Sequence, residues 1–506
     1  MDEYRPRAYT PSNDLYQPNT GDEVSDTNSN IASELSTSQF YLKNSLRLGL
    51  VYCLICTVNL FILNAFGLLI LPLKHKYNVT DFQYNVYISV NLVVESVATI
   101  PAAFALNKLG LRNGLLLANF GNSIITIIRC IPMNTGNAYD LMFYTGQASA
   151  VFTSFILVSP TKFAATFYDI NKRRLAVSFF MCAQLLGLSF GYIFPPFFDL
   201  TWENKNTSKW YILVLIIFQL ILSAITLVSS FLFLPNIPRV PVNFINRIDR
   251  WGSVKSIRKV LSLRQFWIFS LVYFGIYTDF ITRDFALSIE LSKRLGTMQA
   301  CFKCIYMVTG ILVALLILYK TITIDNLKVP MQIVLVLAAV SFYIVYVSDY
   351  YHNSKYESKL LYGILQYSLG LVNKVCSTVF LAMFVEVITD CFFPAAEEIV
   401  LGAVYSLTSI IQAVIIFFVF YADENLTVIR NGDYVIIMGY IFCLLGMLLV
   451  PRRLEMNRFQ ITANPRAVAD VNQAESVARN IEDAEKVIEE IPNTKVLNLQ
   501  DNSYAT

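Results

Sequence analysis

The residues that invite a chemical reading are charges and amides set inside apolar runs. Asp279 lies midway along residues 265–289 and Lys374 midway along 360–387. Each run can cross the roughly 30 Å hydrocarbon layer of a bilayer as a helix. A lone carboxylate or ammonium there costs a few kcal/mol on insertion scales, so it faces water, a partner or a passing solute. Glu95, with Asn91 one turn earlier on the same helical face, is a candidate proton site, and a structural hydrogen bond to a neighbouring helix is the competing reading. Asn64, Gln147, Gln184, Gln366 and Gln412 add amides within the apolar runs, and such amides more often tie helices together than bind ligands. This pattern offers recognition and displacement of charge. It does not offer bond-making: no HExxH, no GxSxG and no acid–histidine cluster facing a cavity occurs, so neither an enzyme, a cofactor nor a metal ion is expected.

The elements that must hold these groups are membrane helices. Hydrophobic residues make up 55% of the chain and charged ones 15%, with a mean hydropathy of +0.52. A soluble protein of 506 residues would be far more polar. The expected class is an all-α polytopic membrane protein. A net charge of +3 is too small to imply a nucleic-acid partner. The bilayer and a small-molecule solute are the expected partners, and a monomer the expected state. Cys53, Cys56, Cys130, Cys182, Cys376 and Cys443 are spread through apolar segments, as small hydrophobes rather than a disulfide framework. Cys301 and Cys304 form a CxxC with no second pair.

Twelve spans are predicted near 48–73, 83–105, 114–133, 141–163, 175–198, 210–234, 265–289, 298–319, 330–347, 360–387, 399–421 and 434–450. They divide the chain into a polar, disordered cytoplasmic tail (1–45), a six-helix bundle (46–234), a basic linker (235–264), a second six-helix bundle (265–450) and a cytoplasmic tail (451–506). The linker carries Arg239, Arg247, Arg250, Lys255, Arg258, Lys259 and Arg264 against Asp249. In the last tail, Val477, Ile481, Ala484, Ile488 and Ile491 recur at helical spacing. The loop Tyr168 to Arg174 holds Lys172, Arg173 and Arg174, and the wider Lys and Arg bias places both termini in the cytoplasm. Acidic residues of the tenth loop, Asp390, Glu397 and Glu398, run against that bias. The acceptor motifs at Asn78, Asn206 and Asn425 all fall in loops on the opposite side, as glycosylation requires. Arg129 and Lys162, near span ends, are expected to reach the interface with their long side chains. The plasma membrane is favoured over an endosomal or vacuolar one.

The segment Gly146 to Pro196 resembles the fourth and fifth helices of the feline leukaemia virus subgroup C receptor-related transporters, a branch of the major facilitator superfamily. The matching residues are Gly146-Gln147, Pro160-Thr161-Lys162, Ala164-Ala165, Arg174, Ala176, Gly187, Gly191 and Pro195-Pro196. Asn107, Lys108, Gly110 and Arg112 resemble the superfamily's cytoplasmic gating motif, with Asn107 where an acid is usual. Glu386, Thr389, Phe393-Pro394 and Glu397 echo a further pattern of that branch.

The resemblance implies the major facilitator fold, two six-helix halves rocking about a midplane site. In that fold the first, fourth, seventh and tenth helices line the cavity, which makes Asp279 and Lys374 either a gating or substrate-contacting pair or a fixed structural salt bridge. Asn64, Gln147, Gln184 and Glu386 join them as candidate substrate or gating residues. Members of the branch are associated with heme export and with choline or ethanolamine uptake. Leu68 and Leu185 stand where the branch has a Trp and a Gln, so choline contacts are missing here. His75 and His352 both sit in expected loops, so no axial pair for heme lies in the cavity. The expected function is a carrier of a small organic solute working by alternating access; the alternative is a non-transporting receptor or scaffold on a transporter fold.

Overall fold

The computed structural model describes residues 45–65, 80–130, 138–168, 170–198, 205–235, 253–293, 297–321, 327–355, 359–392, 395–421 and 427–450. Residues 1–44 and 451–506, and with them the expected tail helix, lie outside the described residues, as do Leu68, His75, Asn78 and Asn425.

The described chain is helical. The helices are α1 (Ser45–Asn64), α2 (Asp81–Leu109), α3 (Leu111–Cys130), α4 (Ala138–Val158), α5 (Pro160–Phe167), α6 (Ile170–Phe198) and α7 (Lys205–Phe233). They continue as α8 (Ser253–Ser262), α9 (Arg264–Lys293), α10 (Thr297–Thr321), α11 (Lys328–Lys355), α12 (Lys359–Cys391), α13 (Glu397–Tyr421) and α14 (Thr427–Leu449). Each of the twelve expected spans falls on one of them, the fourth being divided between α4 and α5. Among the described residues, eight helices are long and apolar enough to cross a bilayer, nine with α8 and α9 taken together. The chain is therefore a multi-pass membrane protein. α3 falls short on composition because one of its faces is polar, with Asn119, Asn122, Ser123, Thr126 and Arg129 all turned inward.

Local chemistry sets the joints. Thr80 and Gln83 form a capping box at the start of α2: Gln83 N–H donates to Thr80 Oγ1 at 3.2 Å and Thr80 N–H to Gln83 Oε1 at 3.0 Å. Gly110 alone separates α2 from α3, with φ 83°, a backbone that a side chain would strain. Pro160 opens α5, where its missing N–H costs nothing, and Ser159 marks the break. α8 meets α9 at Leu263 with an 85° bend, buries Ser256 and Val260, and leaves Lys255, Arg258 and Lys259 exposed. The hydrophilic connector thus contains a basic amphipathic helix.

The two sets of helices, α1–α7 and α9–α14, meet chiefly where α2 packs on α13 and α6 on α10 and α12. Gly402 makes the first contact close: a Cβ there would lie 3.2 Å from Ala103 Cβ and 3.5 Å from the Thr99 carbonyl oxygen. Outward faces carry Val97, Ile221, Val228, Leu316, Leu337 and Phe418, large apolar side chains that suit contact with lipid rather than water.

Candidate functional site

Three buried polar groups have a geometry worth building up. The first lies inside the second set of helices. Asn373 Nδ2 on α12 donates to the Ala338 carbonyl at 2.9 Å and to the Tyr440 hydroxyl at 2.8 Å. Tyr440 and Ser377 hydroxyls are 3.1 Å apart, and Ser377 donates to Asp279 Oδ2 at 3.0 Å. A hydroxyl has one hydrogen, so with Ser377 committed to Asp279 the Tyr440 proton must point at Ser377. One donor each of Asn373, Tyr440 and Ser377 therefore points along the chain toward the Asp279 carboxylate. On the same face of α12, Lys374 Nζ lies 4.0 Å from the centroid of Phe280, the residue after Asp279, in cation–π geometry. Gly310 on α10 gives the lysine stem its room: a Cβ there would lie 2.9 Å from Lys374 Cβ. One turn around α9, Gln412 of α13 accepts from Thr278 at 3.0 Å and donates to Thr282 at 2.7 Å. The acid and the base read from the sequence are thus both turned into the protein, on helices that touch.

The second group lies inside the first set and is built from neutral side chains. Asn59 Nδ2 donates to Asn119 Oδ1 and Asn122 Nδ2 to Asn59 Oδ1, both at 2.6 Å, and Asn119 Nδ2 reaches Ser230 Oγ at 2.6 Å. Ser149 on α4 donates to Asn122 Oδ1 at 3.0 Å. Apart from this group, but on the same helix α3, lies a buried cation. Arg129 does not extend to the interface; it is 1% exposed and donates to Thr145 Oγ1 (3.3 Å), the Thr145 carbonyl (3.4 Å), the Ile62 carbonyl (3.2 Å) and Gln219 Oε1 (3.4 Å). Four acceptors from three neighbouring helices outweigh the pull of the headgroup layer on its stem.

The third group joins the two sets at the end where Gly110 lies. Arg173 is not a loop residue: it falls in the first turn of α6, turned inward, between the acids of α12 and α13. Its Nε lies 3.6 Å from Glu386 Oε1, Nη1 3.6 Å from Asp390 Oδ1, and Nη2 3.5 Å from Glu397 Oε1. Lys162, also expected to reach outward, pairs with Glu398 Oε1 at 2.7 Å and donates to the Leu106 carbonyl at 3.1 Å. The pair is a close charge-assisted hydrogen bond, whereas the three Arg173 contacts are longer and more Coulombic. Ser96 Oγ, nearer the middle of α2, donates to the Ser406 carbonyl of α13 at 2.6 Å.

The remaining expected residues are dispersed. Asn64 donates to the Leu188 carbonyl at 3.1 Å, Gln184 to the Ile156 carbonyl at 2.9 Å and Gln147 to the Tyr87 carbonyl at 3.4 Å, each bridging two helices. Glu95 is buried where α2 faces the second set, within electrostatic reach of Tyr273 and Tyr405. Those tyrosines and Tyr277 form an aromatic cluster with centroids 5.2–6.2 Å apart. Asn107 and Lys108 are exposed beside Gly110, and Arg112 Nη2 lies 3.5 Å from the Phe231 carbonyl. Asn206 sits in the first turn of α7.

Helices in two sets, with buried charged groups inside both and ion pairs across their junction, define a membrane-embedded helical protein. The major facilitator superfamily profile matches residues 52–420, and the chain belongs to that superfamily. Among solved structures it is similar to a D-xylose–proton symporter, with a TM-score of 0.59 at 15% identity over 81% of this chain and 99% of that one. It is also similar to the xylose transporter XylE from E. coli in a partially occluded inward-open conformation, with a TM-score of 0.56 at 15% identity over 80% and 97%. Two Caenorhabditis elegans proteins are similar over part of their length. An uncharacterized protein, B0416.5, is 27% identical over 192 residues, 36% of each chain. An uncharacterized MFS-type transporter, C09D4.1, is 26% identical over 207 residues, 38% of this chain and 33% of that one. The matched stretches span about a third of these relatives' length.

Proposed function

We propose that this protein carries a small organic solute across a membrane by alternating access between its two halves, 46–234 and 265–450. The observation that carries the reading is the burial of Asp279 and Lys374 within the second half, beside a junction of the halves held by ion pairs. Charge that deep is tolerated where a solute or water passes. Asp279 and Lys374 act as the substrate-contacting or gating pair, Asn64, Gln147 and Gln184 hold the first half's helices in place, and Glu95 is the proton-site candidate facing the tyrosine cluster.

The Lys and Arg bias supports an orientation with the Gly110 end and both termini in the cytoplasm and Asn78, Asn206 and Asn425 outside, and the plasma membrane is the proposed location. In that orientation the ion pairs of Arg173 and Lys162 close the cytoplasmic gate. Asn107 leaves the gating motif without its usual acid; Lys162, bonded to Leu106 beside it, brings in Glu398 of the other half instead. Glu386 then belongs to the gate rather than to the substrate.

For the substrate, the resemblance to the receptor-related branch supports an organic nutrient or metabolite of the choline or heme kind. Leu185 weighs against choline itself, since it is packed in the apolar core where the branch has a Gln. Xylose belongs to the structural neighbours and is not carried over at 15% identity. Comparing intracellular metabolites in cells expressing wild type and Lys374→Ala tests the reading. A solute that accumulates with wild type and not with the variant supports it. If Lys374→Ala changes nothing while deletion of 455–506 abolishes the cellular effect, the protein is a receptor on a carrier fold.

A further inference from the structure

The connector helix α8 presents two exposed surfaces of different chemistry side by side. Its back is fixed: Ser256 and Val260 are buried, and Ser256 Oγ accepts from the Ala396 N–H at 3.5 Å, just before α13. A helix turns 100° per residue, so that contact decides what the other residues present. Val254 and Leu261, seven apart, share one exposed flank. Lys255, Arg258 and Lys259, neighbours within one turn, share the next and are exposed as well. Residues 253–264 hold these three cations and the exposed Arg264, and no acid. The acids that open the adjoining α13, Glu397 and Glu398, are turned inward to Arg173 and Lys162. The 85° bend sets α8 nearly perpendicular to the spanning helix α9, and so nearly parallel to the bilayer surface. Trp267, in the first turn of α9, is 54% exposed and donates its indole N–H to the Leu261 carbonyl at 3.1 Å. An exposed indole suits the boundary between acyl chains and headgroups, which places α8 at headgroup depth.

A helix at that depth with an apolar flank beside a basic one fits a layer that is apolar on one side and negatively charged on the other. A soluble protein that wraps a basic amphipathic helix needs access all round it, and the buried back of α8 denies that access. We propose that α8 binds the anionic headgroups of membrane phospholipids. Lys255, Arg258 and Lys259 meet the headgroup charges, while Val254 and Leu261 lie among the acyl chains next to Trp267. In the orientation proposed above, these lipids belong to the cytoplasmic leaflet.

The test uses the full-length protein in phosphatidylcholine nanodiscs carrying rising fractions of brominated phosphatidylserine or brominated phosphatidylcholine, whose chains quench nearby indoles. The emission of Trp267 is the difference between wild type and Trp267→Phe. Phosphatidylserine should reach half-quenching at a several-fold lower fraction than phosphatidylcholine. Arg258→Gln should raise that fraction about fivefold, the worth of one basic residue at an anionic surface. Combining it with Lys255→Gln and Lys259→Gln should bring phosphatidylserine to the phosphatidylcholine value. The three side chains are exposed, so the triple variant should melt with wild type in phosphatidylcholine; if it does not, Arg258→Gln alone decides. Equal quenching of wild type by the two lipids overturns the proposal and leaves the basic face to a soluble partner. An Arg258→Gln protein that keeps the full preference for phosphatidylserine overturns it as well. No solute is followed, so either result leaves the carrier reading to its own test.

Discussion

The two halves solve the same problem, polar groups inside a membrane bundle, in opposite ways. In the first half the central group is a closed set of amides and hydroxyls: Asn59, Asn119, Asn122, Ser149 and Ser230 satisfy one another at 2.6–3.0 Å. In the second half the hydrogen bonds run in one direction and end on Asp279, with Lys374 held over Phe280. A closed neutral set is indifferent to a passing charge and serves to fix helices relative to one another. A directed chain ending on a carboxylate changes when that carboxylate gains a proton or a ligand. The contrast assigns rigidity to the first half and response to the second.

That contrast can be broken in graded steps. The largest effect is expected at Asp279→Asn and Lys374→Ala, which should each reduce solute accumulation at least about tenfold, a loss of roughly 1.4 kcal/mol or more in transition-state terms. Surface expression should hold near wild type. Accumulation at wild-type level in both would make the second half as inert as the first.

Arg173→Met comes next. It leaves Glu386, Asp390 and Glu397 without their shared cation, and breaking a buried ionic group of this kind costs about 3–5 kcal/mol. The expected reading is a lower melting temperature together with greater accessibility of a cysteine introduced at Ser377 to cytoplasmic thiol reagents. Melting and labelling equal to wild type would remove the ion pairs from the gate.

Asn119→Ala and Asn122→Ala should destabilise by about 1–3 kcal/mol each, because each strands buried partners, and the pair should be non-additive. Accumulation per folded molecule should stay within about twofold of wild type on the same scale. A tenfold loss there would erase the division between the halves. Tyr440→Phe is the smallest change: it removes the proton aimed at Ser377 and should lower uptake a few-fold with a stability loss near 1 kcal/mol, measurable as a shift in denaturation midpoint.

How much of this was legible depended on contrast with the background. Asp279 and Lys374 lie at the middles of apolar runs whose other charges, Arg283, Asp284 and Glu386, fall toward the ends, so their inward placement follows from composition and position. Arg173 sits between Lys172 and Arg174, and a run of three cations reads as a solvated loop. A helix turns 100° per residue, so once α6 begins at Ile170 the middle residue of the three can face inward while its neighbours do not. The acids that contradicted the charge bias, Asp390, Glu397 and Glu398, were the visible trace of that arrangement, since three acids facing inward need cations facing them. Arg129 and Lys162 lie near span ends, where a long side chain can reach water; the acceptors that hold them inward come from other helices and leave no mark in the local sequence. Asn59 carried no signal at all, while Asn119 and Asn122 lie three residues apart in a stripe continued by Ser123 and Thr126. Such a stripe on a membrane helix marks an interior face.

The seam between α2 and α13 has a mechanical meaning. Around Gly402 the surface is nearly smooth: the glycine lies against Ala103, the backbone at Thr99 and the Val158 side chain, and Ser96 ties the seam to the Ser406 carbonyl about one turn away. Smooth seams act as bearings, resisting separation through contact area but offering little friction to rolling. If the halves rock, this is where a pivot costs least, and widening Gly402 to leucine would seize the bearing while leaving every charged residue in place.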